Sequence, residues 1–172
     1  MEPSVEALKG NYHTNPIFEF FNQEEFDYLL KIVDQVVYEP KEIIFETGQE
    51  PRGLYIITEG QVAISQRREG RSEKVLATIE PPTVLGEMAL LKKRQRTSTA
   101  RAVERTTVLF LDKDKFTQAL SNNEIFAFKL SHNLGTILAQ KIETMNEAMM
   151  SMKQQFKEFN NFKNTLFSDW NF

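Results

Sequence analysis

The stretch Leu54-Tyr55-Ile56-Ile57-Thr58-Glu59-Gly60-Gln61-Val62-Ala63-Ile64 sets the class of the fold. Two short runs of β-branched, aromatic and aliphatic residues flank Glu59-Gly60, a turn signal. The pattern recurs outward in both directions. Upstream lie Val36-Val37-Tyr38 and Glu42-Ile43-Ile44-Phe45, punctuated by Glu39-Pro40-Lys41 and Thr47-Gly48. Downstream lie Val75-Leu76-Ala77-Thr78-Ile79, Thr99-Ala100-Arg101-Ala102-Val103 and Thr107-Val108-Leu109-Phe110-Leu111, with Glu69-Gly70 and Pro81-Pro82 as turn signals. Seven or eight short strands at about ten-residue spacing predict a sandwich, jelly roll or small barrel. One or two helical turns interrupt them between Glu87 and Lys93.

Helical periodicity brackets this region. Ile17, Phe18, Phe20, Phe21, Phe26, Leu29, Leu30 and Val33 fit two short helices broken near Asn22. Asp112 or Asp114 caps a short helix over 113–121, and a long helix starts near Asn122 or Asn123. The long helix carries Leu138, Ile142, Met145, Met149, Met152, Phe156, Phe159, Lys163 and Leu166 at alternating steps of four and three. That is the a/d spacing of a two-stranded coiled coil. A helix of about 40 residues is roughly 60 Å long, more than a small β core covers. A homodimer through this helix is therefore expected. Methionine and phenylalanine at the seam give a softer interface than isoleucine and leucine, and Lys163 weakens its far end. The fold class is α+β: a β-jelly-roll or barrel of about eight antiparallel strands, with N-terminal helices and a long C-terminal helix. The domains read as a leader over 1–16, a β-barrel domain with flanking helices over 17–121, and the long helix over 122–172.

Composition narrows the function classes. The 172 residues contain no cysteine and 2 histidines. Disulfide frameworks, thiol nucleophiles, iron–sulfur clusters and cysteine zinc sites are excluded, and a histidine-built metal site is disfavoured. No apolar run reaches the ~18 residues of a membrane span, and the N-terminus does not read as a signal peptide. A cytoplasmic globular protein is expected. No serine elbow with a partner histidine and no metal-loop spacing is present, so no enzyme is expected. His13 and His132 read as surface or packing residues.

Net charge is −3, unevenly spread: residues 66–105 hold ten Lys/Arg against five Asp/Glu, which leaves −8 on the rest. A basic zone on an acidic body suits a small anionic ligand better than a long polyanion.

The chemistry concentrates in Leu85-Gly86-Glu87-Met88-Ala89-Leu90 and, five residues on, Arg96-Thr97-Ser98-Thr99-Ala100. Gly86 lets a backbone come close to a ligand. Glu87 precedes a helical turn with unpaired N–H groups, an anion cradle. A carboxylate there can accept two sugar hydroxyls, and Arg96 can grip a phosphate bidentately. A carboxylate, a guanidinium and a helix N-terminus within nine residues suit a compact ribose-phosphate. A structural Glu87–Arg96 ion pair is the plainer alternative.

This segment resembles the phosphate-binding cassette of the cyclic-nucleotide-binding domain found in bacterial catabolite regulators, cyclic-nucleotide-dependent kinases and cyclic-nucleotide-gated channels. The resemblance covers about residues 17–145. A second signature is Gly48-Gln49 followed by Gly53-Leu54-Tyr55-Ile56-Ile57-Thr58-Glu59-Gly60, similar to the family's β-hairpin with spaced glycines. The resemblance implies that Glu87 holds the ribose 2′-hydroxyl and Arg96 the cyclic phosphate. It implies that the backbone of Gly86, Met88 and Ala89 completes the cradle, and that Thr97 donates to the phosphate or to a guanine. Leu76 and Leu85 would line an apolar wall against the purine. Ser98 replaces a usual alanine, Pro51 occupies a usually small position, and Lys92-Lys93-Arg94-Gln95 lacks a frequent glycine. The Glu-to-Arg spacing resembles that of the kinases and channels.

The function implied is a cyclic-nucleotide receptor, for cAMP first with cGMP open through Thr97. It would signal through its long helix to a dimer or to a downstream protein partner. No recognition helix follows the long helix, so direct DNA binding is not expected. The alternatives are a regulatory fragment of a larger transcription regulator, kinase or channel, and a domain without ligand acting as a coiled-coil adaptor.

Overall fold

The computed structural model describes residues 12–66, 72–91 and 95–168, with the side chains of residues 162 and 164–168 outside that description. The leader up to residue 11, the Glu69-Gly70 turn, Lys92-Lys93-Arg94 and the final residues with Trp170 and Phe172 thus lie outside it. The described residues form two compact units, one ending at Leu134 and one beginning at Gly135.

The first unit opens with two 3₁₀ turns, Tyr12–Thr14 and Pro16–Phe18, and helix α1 (Gln23–Ile32). The break near Asn22 is a capping box: Asn22 accepts from Glu25 N and Glu25 accepts from Asn22 N, both at 2.8 Å. Eight strands follow: β1 (Asp34–Tyr38), β2 (Ile43–Phe45), β3 (Gly53–Glu59), β4 (Val62–Gln66), β5 (Lys74–Ile79), β6 (Thr83–Leu85), β7 (Thr99–Ala102) and β8 (Thr106–Asp112). Between β6 and β7 sits helix α2 (Met88–Leu91), and after β8 helix α3 (Lys113–Ser121), capped by the Asp112 carboxylate. Helix α4 spans Ile125–Ser168. The predicted jelly roll with flanking helices is the observed fold. β6 was not among the sequence-predicted runs, because three residues beside Pro81-Pro82 carry too little pattern.

All strand pairs are antiparallel, in two four-stranded sheets of order β1-β8-β3-β6 and β2-β7-β4-β5. Alternation along β3 explains how its continuous apolar run is used. Tyr55 and Ile57 face the core between the sheets with Ile44, Phe45, Val62, Leu85, Ala100 and Val108. Leu54 and Ile56, paired with Leu111 and Leu109, are buried on the opposite face. Helices α2 and α3 pack against β3 and β8.

The start of α4 is tied to the N-terminal turns. Phe126, Ala127, Leu130 and Leu134 are buried. Asn133 Nδ2 donates to the carbonyls of Ile17 and Glu19 at 3.0 and 2.7 Å. Lys129 Nζ meets the capping carboxylate of Glu25 at 2.7 Å. In the second unit, Ile142, Met145, Met149, Met152, Phe156 and Phe159 are all exposed on α4.

Candidate functional site

The site lies where β6 ends. β6 pairs with β3 through Tyr55↔Leu85, which carries Gly86 to the edge of the β3 start. Gly86 has φ +75°, a conformation favouring glycine. From there α2 begins: Ala89 N donates to Gly86 O at 2.9 Å and Leu90 N to Glu87 O at 3.2 Å.

Arg96 returns to the same place from the other side. Its backbone is fixed by the loop after β2, for Gly48 N donates to Arg96 O at 2.8 Å and Arg96 N to Gln49 O at 2.9 Å. This is the physical use of the Gly48-Gln49 signature. The side chain runs inward and is only 8% exposed. Nη2 donates to Gly53 O at 2.9 Å and Nη1 to Gly86 O at 3.3 Å. The guanidinium carbon lies 4.3 Å from the centre of the Phe45 ring and 5.6 Å from that of Tyr55. Nε is buried and has no hydrogen-bond partner among the described residues. Burial lowers the Arg96 pKa, opposed by its contact with Tyr55 and by the charge of Glu87. The same burial raises the Tyr55 pKa. Glu87 is half-buried and close enough to act on Arg96 electrostatically.

Gly86 therefore has a second reason to be glycine, one that its sequence context did not reveal. A Cβ there would collide with Arg96 Nη1 and lie 3.0 Å from Cζ. What approaches this backbone in the structure is the arginine itself.

The remaining sequence-predicted residues distribute around this centre. Leu85 and Ala89 are buried, Met88 is exposed, Thr97 is exposed and Ser98 is half-buried. The Thr97 carbonyl accepts from Gln66 Nε2 at 3.3 Å, which ties the cassette to β4. Leu76 lies on β5, in the other sheet from Leu85, and is 57% exposed. Pro51 is buried in the loop leading to β3. Phe45 and Tyr55 carry no site signal in the sequence. Each sits in an ordinary strand pattern, and only the fold shows that their rings meet Arg96. No group of three or more His, Asp or Glu residues among the described ones could hold a metal ion. No described helix is long and apolar enough to cross a membrane.

The sequence matches the family model for the cyclic nucleotide-binding domain over residues 35–123. The chain belongs to the cyclic nucleotide-binding domain family. The cyclic AMP receptor protein of Thermus thermophilus is 30% identical over 135 residues, covering 78% of this chain and 59% of that protein. The crystal structure of the Thermus thermophilus catabolite activator protein superposes with a TM-score of 0.70 at 27% identity, covering 80% of this chain and 63% of the other. A structure described as cAMP-bound PfPKA-R (141–441) superposes with a TM-score of 0.59 at 26% identity, over 69% of this chain and 42% of the other. This chain thus spans about three fifths of its bacterial relative. The family match covers β1 to α3, so it includes both Glu87 and Arg96.

Proposed function

We propose that this cyclic nucleotide-binding domain is a receptor for a cyclic nucleotide, cAMP first and cGMP second, rather than a catalyst. The observation that carries the reading is the buried Arg96 guanidinium, with an Nε–H lacking a partner, set against the Gly86–Ala89 turn. A desolvated cation with an unfilled donor is completed by an oxyanion. Glu87, one residue beyond Gly86, would accept the ribose hydroxyls, and Met88 and Ala89 would offer backbone donors. Thr97 and Ser98 would line the phosphate side, Leu85 and Leu76 the base side. Two relatives support cAMP through their descriptions alone, as a cyclic AMP receptor protein and as a cAMP-bound structure.

The signal would leave through α4. Its first three turns are anchored by Lys129 and Asn133, and beyond Gly135 it carries the exposed seam. Ligand contacts that favour one placement of the cassette would shift the population of helix positions. The segment 122–172 would then act as the homodimer or partner interface, in the cytoplasm and without direct DNA contact. Calorimetric titration with cAMP, cGMP and 5′-AMP tests the reading. Saturable binding of a cyclic nucleotide, lost in an Arg96 variant that remains folded, is the expected result. Absence of binding by every cyclic nucleotide sinks it.

A further inference from the structure

We propose that Phe45 is a positioning residue of this site: its ring, backed by Tyr55, holds the Arg96 guanidinium in one plane so that its unused N–H donors are preset for a cyclic phosphate. The inference rests on the cyclic-nucleotide reading above and adds to it the device that orients the arginine.

A guanidinium offers five N–H donors in a rigid fork. The structure uses one on Nη2 for Gly53 O and one on Nη1 for Gly86 O, brings the fork into side-chain hydrogen-bonding contact with Tyr55, and leaves Nε–H buried and unpaired. Two carbonyls fix two corners of the fork. They do not stop rotation about the line between them. A ring face does, and the Phe45 ring lies 4.3 Å from the guanidinium carbon, inside the range of cation–π attraction.

The ring is itself held. Phe45 is 6% exposed and its ring centre is 5.6 Å from that of Tyr55, which is 4.9 Å from that of Phe110. Three rings in succession thus back the cation. The backbone helps as well. The pairing of β2 with β7 shifts register between Ile43 and Phe45, and Ile44 and Phe45 are both buried. Strict alternation would turn one of the two outward; the irregularity lets Phe45 face the core with Ile44. Desolvation of the arginine is then met during folding, and little rotamer freedom remains for ligand binding to remove.

The test compares parent, Phe45→Leu and Phe45→Tyr by calorimetry with cAMP and cGMP. It adds the melting temperature of each unliganded protein and the NMR signal of Arg96 Nε–H. Phe45→Leu is expected to weaken both nucleotides about tenfold and by similar factors, because phosphate is what they share. Phe45→Tyr keeps the ring face and is expected to stay within about threefold of the parent. The Nε–H signal is expected to exchange faster with solvent in the leucine variant only. Parent-like affinity in Phe45→Leu overturns the inference while leaving the receptor reading intact. So does equal loss in both variants that tracks melting temperature, since the ring would then be packing alone. A parent that binds neither nucleotide overturns the receptor reading and this inference with it.

Discussion

Replacing Arg96 by alanine separates two roles that the structure superimposes. In the structure Arg96 is a strut, donating to Gly53 O and Gly86 O and lying over Phe45. Gly86 O keeps its bond from Ala89 N after the change, while Gly53 O loses the 2.9 Å bond from Nη2. An acceptor left unmet costs about 1–3 kcal/mol, and the lost ring contact about 0.5–2 kcal/mol. Removing the buried cation returns part of that. A net loss of about 1–3 kcal/mol is expected, roughly 2–12 °C in melting temperature for a chain of this size. Ligand binding should suffer more. Two charge-assisted bonds to a phosphate contribute about 3–6 kcal/mol together, so affinity should fall at least about a hundredfold. Calorimetry with cAMP, at a temperature where circular dichroism shows the variant folded, reads the second effect free of the first. A variant that melts lower yet binds cAMP within threefold of the parent would refute the reasoning, because Arg96 would be strut only. Arg96→Glu is the poorer probe: it sets a carboxylate against two carbonyls and should unfold more protein than it informs on.

Gly86→Ala is expected to lower stability and remove binding together, because its Cβ collides with the guanidinium and its φ is +75°; thermal melts and titration read both. Asn133→Ala removes two buried donors that tie α4 to the carbonyls of Ile17 and Glu19 and should cost about 1–3 kcal/mol in denaturant unfolding, with cyclic-nucleotide affinity changed far less. Met149→Glu places a charge in the exposed seam and should move sedimentation from dimer towards monomer; unchanged sedimentation of a dimeric parent would place the interface elsewhere. Stability should fall as pH rises above about 10, because the Tyr38 and Tyr55 pKa values are raised by burial, so the unfolded chain loses those protons first. Tyr55→Phe should flatten that fall in pH-dependent melts.

Much of the fold was legible because period-two runs and turn residues alternate so regularly. The capping pair Asn22 and Glu25, the Asp112 cap and the glycine-punctuated β3–β4 stretch each signal an element through local chemistry. β6 was missed because Thr83–Leu85 is a three-residue strand whose evidence is its partner, Tyr55–Ile57. The site divides in the same way. Glu87 and Arg96 stand out as residue types at a telling spacing, so a motif finds them. Phe45 and Tyr55 are ordinary core aromatics in sequence, and what makes them functional candidates is contact with Arg96, 51 and 41 residues further along the chain. The meaning of Gly86 changed for the same reason. Spacing marks it as a place of close approach, but only the fold names the side chain that approaches.

In the proposed receptor, Arg96 and Glu87 frame a site for a ring-closed ribose phosphate. Titrating the purified chain with cAMP and 5′-AMP in parallel, for the parent and for Glu87→Gln, tests it most directly. One nucleotide per chain, clear preference for the cyclic compound and weakened binding in the glutamine variant are the expected results. Equal heats for both compounds, or cAMP binding indifferent to the loss of the Glu87 charge, would contradict it.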